Sequence, residues 1–274
     1  MGVDFRAYAT QPDDELDLLE GALLIARDAH PGLDPSAVER ELDVLAQPLV
    51  ARGIMGLPAP GQAELLAEHL FGTEGFSGNK SDYYDPQNSF LDAVISRRTG
   101  IPVTLSVLYV EVARRAGVRA SPVGFPGHFL ARVDDHDRRL VVDPFHGGAA
   151  LDEVALAELL RRSGSKLRFS SEMIAPTPVR QVVARILMNL RGIYASRGDY
   201  ARLMVILDRL IDLLPDSDEE LRDRGFLFGR LGAPDAAVGD LKAYVERLPH
   251  AGDVEEVRKW IEKFEDSGKR AGGN

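Results

Sequence analysis

Between Gly100 and Asp143 the residues follow one another in an order that few folds accommodate: a proline-opened apolar helix, a glycine, then three short segments of strand composition. Pro102 suits a first helical turn, where its missing amide proton costs nothing, and residues 103–116 continue as an apolar helix that stops at Gly117. Residues 120–124, 128–133 and 139–143 read as strands, with Asp134-Asp135-His136-Asp137 as a hairpin turn. The pattern predicts an antiparallel sheet lying against the 103–116 helix. His128 opens the second strand and Asp143 closes the third.

The residues before this unit are mostly helical in pattern. Residues 13–29 place Leu16, Leu19, Leu23 and Ala26 on one face behind an acidic first turn. Residues 35–49 repeat the spacing with Val38, Leu42 and Leu45, and residues 61–71 follow the Leu57-Pro58-Ala59-Pro60-Gly61 break. Residues 72–88 change to Gly, Ser, Asn, Asp and Tyr, which predicts a loop built on side-chain turns; loops of that length are often functional. A helix is expected over 90–98 and another over 150–162, ended by Ser163-Gly164-Ser165, with the first domain closing before Pro176.

Beyond it the sequence repeats with a period of 34 residues. Tyr194 and Phe228, Leu207 and Leu241, Leu210 and Tyr244, and Pro215 and Pro249 all keep that offset. It is the period of the tetratricopeptide helix pair. Gly198-Asp199-Tyr200 supplies a turn, and Gly232-Ala233-Pro234 stands 34 residues later; Arg191 and Leu203 depart from the small residues usual at their positions. A capping helix is expected over 254–264 and a disordered tail over 267–274. The expected fold class is therefore α+β. A helix-rich domain with a small antiparallel sheet (1–175) precedes an α-helical tetratricopeptide-like domain (176–266).

Composition narrows the function. Forty-three acidic against 33 basic residues leave a net charge of −10, which repels phosphate backbones and anionic lipid, so neither nucleic acid nor membrane is an expected partner. No apolar run approaches the roughly 20 residues of a membrane span, and Met1-Gly2-Val3-Asp4 lacks the features of an export signal, so a cytoplasmic location is expected. The chain has no cysteine, hence no disulfide or thiolate ligand, and its six histidines are not paired at i,i+4. No metal and no cofactor are expected.

Several motifs converge on one family. The run Gly78-Asn79-Lys80-Ser81-Asp82-Tyr83-Tyr84-Asp85-Pro86-Gln87-Asn88-Ser89-Phe90-Leu91 resembles the SirB family of transglutaminase-like tetratricopeptide proteins. So do Arg97-Arg98-Thr99-Gly100-Ile101-Pro102-Val103-Thr104-Leu105-Ser106, Gly124-Phe125-Pro126-Gly127-His128-Phe129-Leu130 and Asp143-Pro144-Phe145-His146-Gly147-Gly148, in the same order. The resemblance implies a transglutaminase-like, papain-like domain fused to tetratricopeptide-like helices. Active cores of that kind use Cys, His and Asp, the thiol opening a helix and the imidazole being oriented by the carboxylate. His128 and Asp143 match two of these, but the position of the nucleophile is Pro102, which has no nucleophilic atom.

Three readings follow. In the favoured one the domain has lost its nucleophile and binds a protein or peptide partner, as a regulator or adaptor. A second makes it a serine-dependent hydrolase or acyl transferase, with Ser106 or Ser89 as nucleophile, His128 as base and Asp143 as orienter. Ser106 lies about 40° from Pro102 around the helix, although helical serines commonly bond the preceding turn and Ser89 is also a candidate N-cap for the 90–98 helix. In the third, the His128–Asp143 pair is a buried strut. The loop offers Asn79, Asp82, Tyr83, Tyr84 and Asn88 as ligand-binding groups, or as a framework that satisfies itself. Arg97 and Arg98 are expected to pair with loop aspartates, and His146-Gly147-Gly148 to make a turn or an anion site.

Overall fold

The computed structural model describes residues 4–135 and 138–271. In chain order its longer elements are α1 (Phe5–Ala9), α2 (Leu18–Ala29), α3 (Pro35–Ala51), α4 (Ala59–Ala67), β1 (Ser77–Gly78), α5 (Leu91–Arg97), β2 (Thr99–Gly100) and α6 (Pro102–Arg115). There follow β3 (Ala120–Phe125), β4 (His128–Asp134), β5 (Arg139–Asp143), β6 (Ala149–Leu151), α7 (Glu153–Arg162), α8 (Val179–Arg197), α9 (Tyr200–Leu213), α10 (Asp218–Arg230), α11 (Pro234–Arg247) and α12 (Val254–Ala271). Two compact units result: residues 11–186, and residues 187–274 together with 1–10.

Aspartate caps set several helix starts. Asp17, Asp34 and Asp152 each accept an amide of the first turn of α2, α3 and α7, satisfying a donor that has no partner inside the helix. The cap at Asp17 explains why α2 begins at Leu18 and not at residue 13. Pro102 is the first residue of α6, as its fixed φ favours.

Helix α6 is the centre of the first unit, since every residue from Pro102 to Ala113 is buried. Full burial of each Val or Leu contributes roughly 1.5–3 kcal/mol against exposure, so α6 holds the surrounding elements together. The four-stranded sheet runs β3-β4-β5-β6, antiparallel throughout. Helix α6 lies against β3 and β4, while Leu156 and Leu160 of α7 pack with Val123, Phe125, Leu130 and Val141. Burial of β4 from Phe129 to Val133 follows from this double covering. Phe125 and His128 pair across the tight β3–β4 turn, where Gly127 has φ 74°; a β-carbon there would also collide with Ser163.

Of the expected 134–137 turn, His136 and Asp137 lie outside the described residues; Asp135 accepts the Arg138 amide at 2.7 Å. A second, two-stranded sheet pairs β1 with β2 in parallel and ties the polar loop to the start of α6.

In the second unit, Ala237, Leu241, Tyr244, Val257, Ile261 and Phe264 pack α11 on α12. The 34-residue repeat is visible in the turns: Gly198 and Gly232 both adopt left-handed φ, 65° and 80°. Gly225 lets α10 approach α11, because a β-carbon there would stand 2.8 Å from Leu241. Arg191, its counterpart one period earlier, pairs instead with Glu220 at 3.1 Å and with Asp223.

The compact units divide between residues 186 and 187, within the range of α8, where the sequence reading places a domain boundary at 175/176. Residues 5–9 form a helix that joins the second unit, with Arg209 lying 5.0 Å from the Phe5 ring centre. The tail expected over 267–274 is helical as far as Ala271; the apolar pattern ends at Phe264, but an established helix adds one bond per residue fixed. Residues 272–274 lie outside the described residues.

Candidate functional site

Strand pairing brings the sequence-distant His128 and Asp143 together. The Nε2 of His128 lies 2.9 Å from Oδ2 of Asp143, and their side chains are only 10% and 5% exposed. The carboxylate is also fixed from its own strand end: Oδ1 accepts the amides of Phe145 at 3.0 Å and His146 at 3.2 Å, capping the short Pro144–His146 turn. Nδ1 of His146 lies 2.7 Å from the same Oδ2. Burial alone would raise the Asp143 pKa, but the hydrogen bonds and charges of His128 and His146 outweigh it and hold the carboxyl below its usual range. The arrangement is an oriented imidazole with a second imidazole on the same acceptor.

Phe145 joins this group to the polar loop. Its ring meets His128 and His146 edge to face, at 6.2 and 5.1 Å between centroids, and Tyr83 likewise at 6.2 Å. Gly78 makes the approach possible, since a β-carbon there would stand 2.6 Å from both the Phe145 ring and its carbonyl oxygen.

The expected loop ligands are largely engaged with one another. Asn79 donates through Nδ2 to Oδ1 of Asn88 at 3.0 Å, and its Oδ1 accepts the Asp82 amide at 2.9 Å. Asn88, fully buried, donates to the carbonyls of Asp82 and Tyr83 at 2.8 and 3.2 Å. Tyr83 is half-buried, which raises its pKa, and Tyr84 is 69% exposed against its edge. Arg97 pairs with Asp85 at 2.7 Å, as expected, whereas Arg98 pairs with Glu74 at 3.3 Å rather than with a loop aspartate.

The hydroxyls are placed differently from expectation. Ser106 is fully buried and its Oγ reaches the Phe129 carbonyl at 3.5 Å, across to β4 rather than back along α6. Ser89 does not cap α5, whose N-cap is Phe90; it ends the Pro86–Ser89 turn with its hydroxyl buried and unpaired. Thr104 donates to the Asn88 carbonyl at 2.7 Å, pinning the loop to α6. Among the described residues, the hydrogen bond of His128 is to Asp143 and not to a serine.

The sequence reading misses His146 as partner of Asp143; its i,i+3 spacing within a proline-opened turn is the available signal. The partner-binding reading expects a groove on the C-terminal helices, and the second unit carries one of about 1060 Å³, walled by Leu203, Leu207, Phe226, Trp260 and Phe264 among others. Arg230 and Lys263 border it, 4.6 and 4.2 Å from the ring centres of Tyr200 and Trp260.

Comparison with known proteins agrees with this division. Residues 36–188 match the family model described as the transglutaminase-like superfamily, and residues 190–262 that of the tetratricopeptide repeat. A UPF0162 protein of Xylella fastidiosa (strain Temecula1) is 39% identical over 91% of this chain and 90% of its own length. A UPF0162 protein of Vibrio cholerae is 25% identical, covering 86% and 88% respectively. F-box only protein 21 of Homo sapiens is 27% identical over 84% of this chain but only 41% of that protein. No solved structure matches the chain.

Proposed function

We propose, on the premise that this chain belongs to the transglutaminase-like superfamily and is a relative of the UPF0162 proteins, that it is a non-catalytic member that binds a protein or peptide partner. The resemblance of its motifs to the SirB family, a regulatory or adaptor role and a cytoplasmic location belong to the same reading. Among the described residues no helix is long and apolar enough to cross a membrane. Tetratricopeptide repeats generally mediate protein interactions, and the groove beside Trp260 is the observation that carries the proposal.

Its chemistry suggests the partner. Aromatic and aliphatic walls favour apolar side chains, while Arg230 and Lys263 rest on rings and, among the described residues, are not paired with carboxylates. An acidic peptide carrying one or two large apolar residues fits both. Pro102 in place of a thiol argues against acyl transfer, and the bonds made by Asn79 and Asn88 make the polar loop a framework that holds its own backbone. The alternative of a serine hydrolase through Ser106 or Ser89 lacks a hydroxyl bonded to His128.

Trp260 is the single tryptophan of the chain, so its fluorescence reports on this groove. Acidic peptides selected from a display library on the full-length protein are expected to shift Trp260 emission on titration, with at least tenfold weaker binding after Arg230→Glu and Lys263→Glu. A selection yielding no peptide that perturbs Trp260 overturns the proposal. Covalent labelling of Ser106 or Ser89 by a fluorophosphonate, lost in His128→Ala, would establish the hydrolase instead.

A further inference from the structure

We infer that His128, Asp143 and His146 form a binding site for a divalent transition-metal ion, Zn²⁺ being the best match. One ligand atom from each of His128, Asp143 and His146 lies within 4.8 Å of the other two, and Nε2 of His128 and Nδ1 of His146 stand 2.9 and 2.7 Å from Oδ2 of Asp143. Ligand atoms of a tetrahedral zinc, bonded at about 2.0–2.1 Å, stand roughly 3.3–3.4 Å apart. Opening the two contacts by roughly half an ångström, with the two nitrogens brought to the same separation, admits the ion. Each imidazole then turns a lone pair toward the centre in place of an N–H, its proton passing to the other ring nitrogen.

The surroundings suit a metal better than a simple strut. A strut needs one imidazole on one carboxylate, whereas here two aim at a single oxygen. The second carboxylate oxygen is already held by the amides of Phe145 and His146, the kind of outer support that orients ligating carboxylates. His128 and Asp143 are almost buried, while the side chain of His146 is 48% exposed, so one side gives the ion an entry path and leaves room for a water ligand. Two imidazoles and one carboxylate favour zinc and its transition-metal neighbours over Mg²⁺ or Ca²⁺, which take oxygen ligands. Three protein ligands with an open position is also the pattern of zinc sites that receive an exchangeable ligand. The inference stands apart from the partner-binding reading, because its three residues lie in the first unit and the groove in the second.

The test is titration of the full-length, chelator-treated protein with Zn²⁺, followed by calorimetry and by the ¹⁵N shifts of the histidine rings. Binding of one equivalent is expected, with the rings of His128 and His146 shifting together, affinity reduced at least tenfold by His146→Ala, and no change in His250→Ala. A hundredfold excess of Mg²⁺ is expected not to compete. Absence of stoichiometric binding, equal affinity in His146→Ala, or unshifted His128 and His146 resonances in the wild-type protein overturns the inference. The ring shifts need no variant and decide the matter even if a substitution disturbs folding.

Discussion

Asp143 receives His128 from the neighbouring strand on the very oxygen that it shares with His146 from its own turn. One buried carboxylate thus joins two strands and caps the turn that follows. Asp143→Ala leaves two imidazoles and two amides without their acceptor and is expected to cost about 3 kcal/mol. Asp143→Asn retains an acceptor and is expected to cost less. Urea denaturation of the two variants checks the order.

Asn88 holds the polar loop closed through three side-chain hydrogen bonds. Asn88→Ala strands the Asp82 and Tyr83 carbonyls and the Asn79 amide, with an expected loss of about 2 kcal/mol. Limited proteolysis is expected to cut the variant between residues 79 and 88 before the wild-type protein; equal resistance would contradict the framework role.

Tyr109 is fully buried in α6 with its hydroxyl unpaired, and burial pushes its pKa far up. Removing an unsatisfied buried hydroxyl relieves a desolvation cost. Tyr109→Phe is therefore expected to leave stability unchanged or to raise it by up to about 1 kcal/mol, read as the midpoint of denaturation. A clear loss would reveal a partner for the hydroxyl.

Two helical glycines give opposite expectations. Gly225 faces Leu241 at close range, so Gly225→Ala crowds the α10–α11 contact and is expected to destabilise by about 1–3 kcal/mol. Gly239 on α11 has open space around it, and Gly239→Ala is expected to stabilise by up to about 1 kcal/mol through helix propensity. Thermal melts of the two variants check the contrast.

Asp253 accepts from the Tyr244 hydroxyl and from Arg222, both at 2.7 Å, and these bonds hold its pKa below the usual 3.8. A carboxyl whose folded pKa is depressed stabilises the fold above its unfolded pKa, and the contribution is lost as pH falls through the folded value. Lowering the pH below about 4 is expected to weaken the α11–α12 end, and Asp253→Asn to lower stability at neutral pH while flattening that acid limb. Melting temperatures from pH 7 down to pH 3 measure both.

Much of the fold was legible because it is written in short-range patterns. The apolar run after Pro102, the strand segments before and after His128, and the 34-residue offset of Gly198 and Gly232 each reflect local periodicity and turn chemistry, and the structure places helices, strands and turns there. The start of α2 shifted because an N-cap depends on which aspartate meets the amides, not on acidity over several residues. The hydrogen bonding of Ser89 and Ser106 is not legible in the sequence, because a hydroxyl chooses between local and distant acceptors only once its neighbours are packed. His146 went unrecognised because its partner oxygen is shared with a residue 18 positions earlier.

By itself, then, the order of residues determined the helix-and-sheet character of the first part, the repeating helices of the second, and the proline at the head of α6. Tertiary structure alone decided that two imidazoles converge on one oxygen, that the asparagines of the loop spend their polar groups within the loop, and that an aromatic groove stays open beside Trp260. Periodicity and capping act within a few residues and are readable along the chain. Shared acceptors and grooves exist only when elements far apart in sequence have been packed against one another.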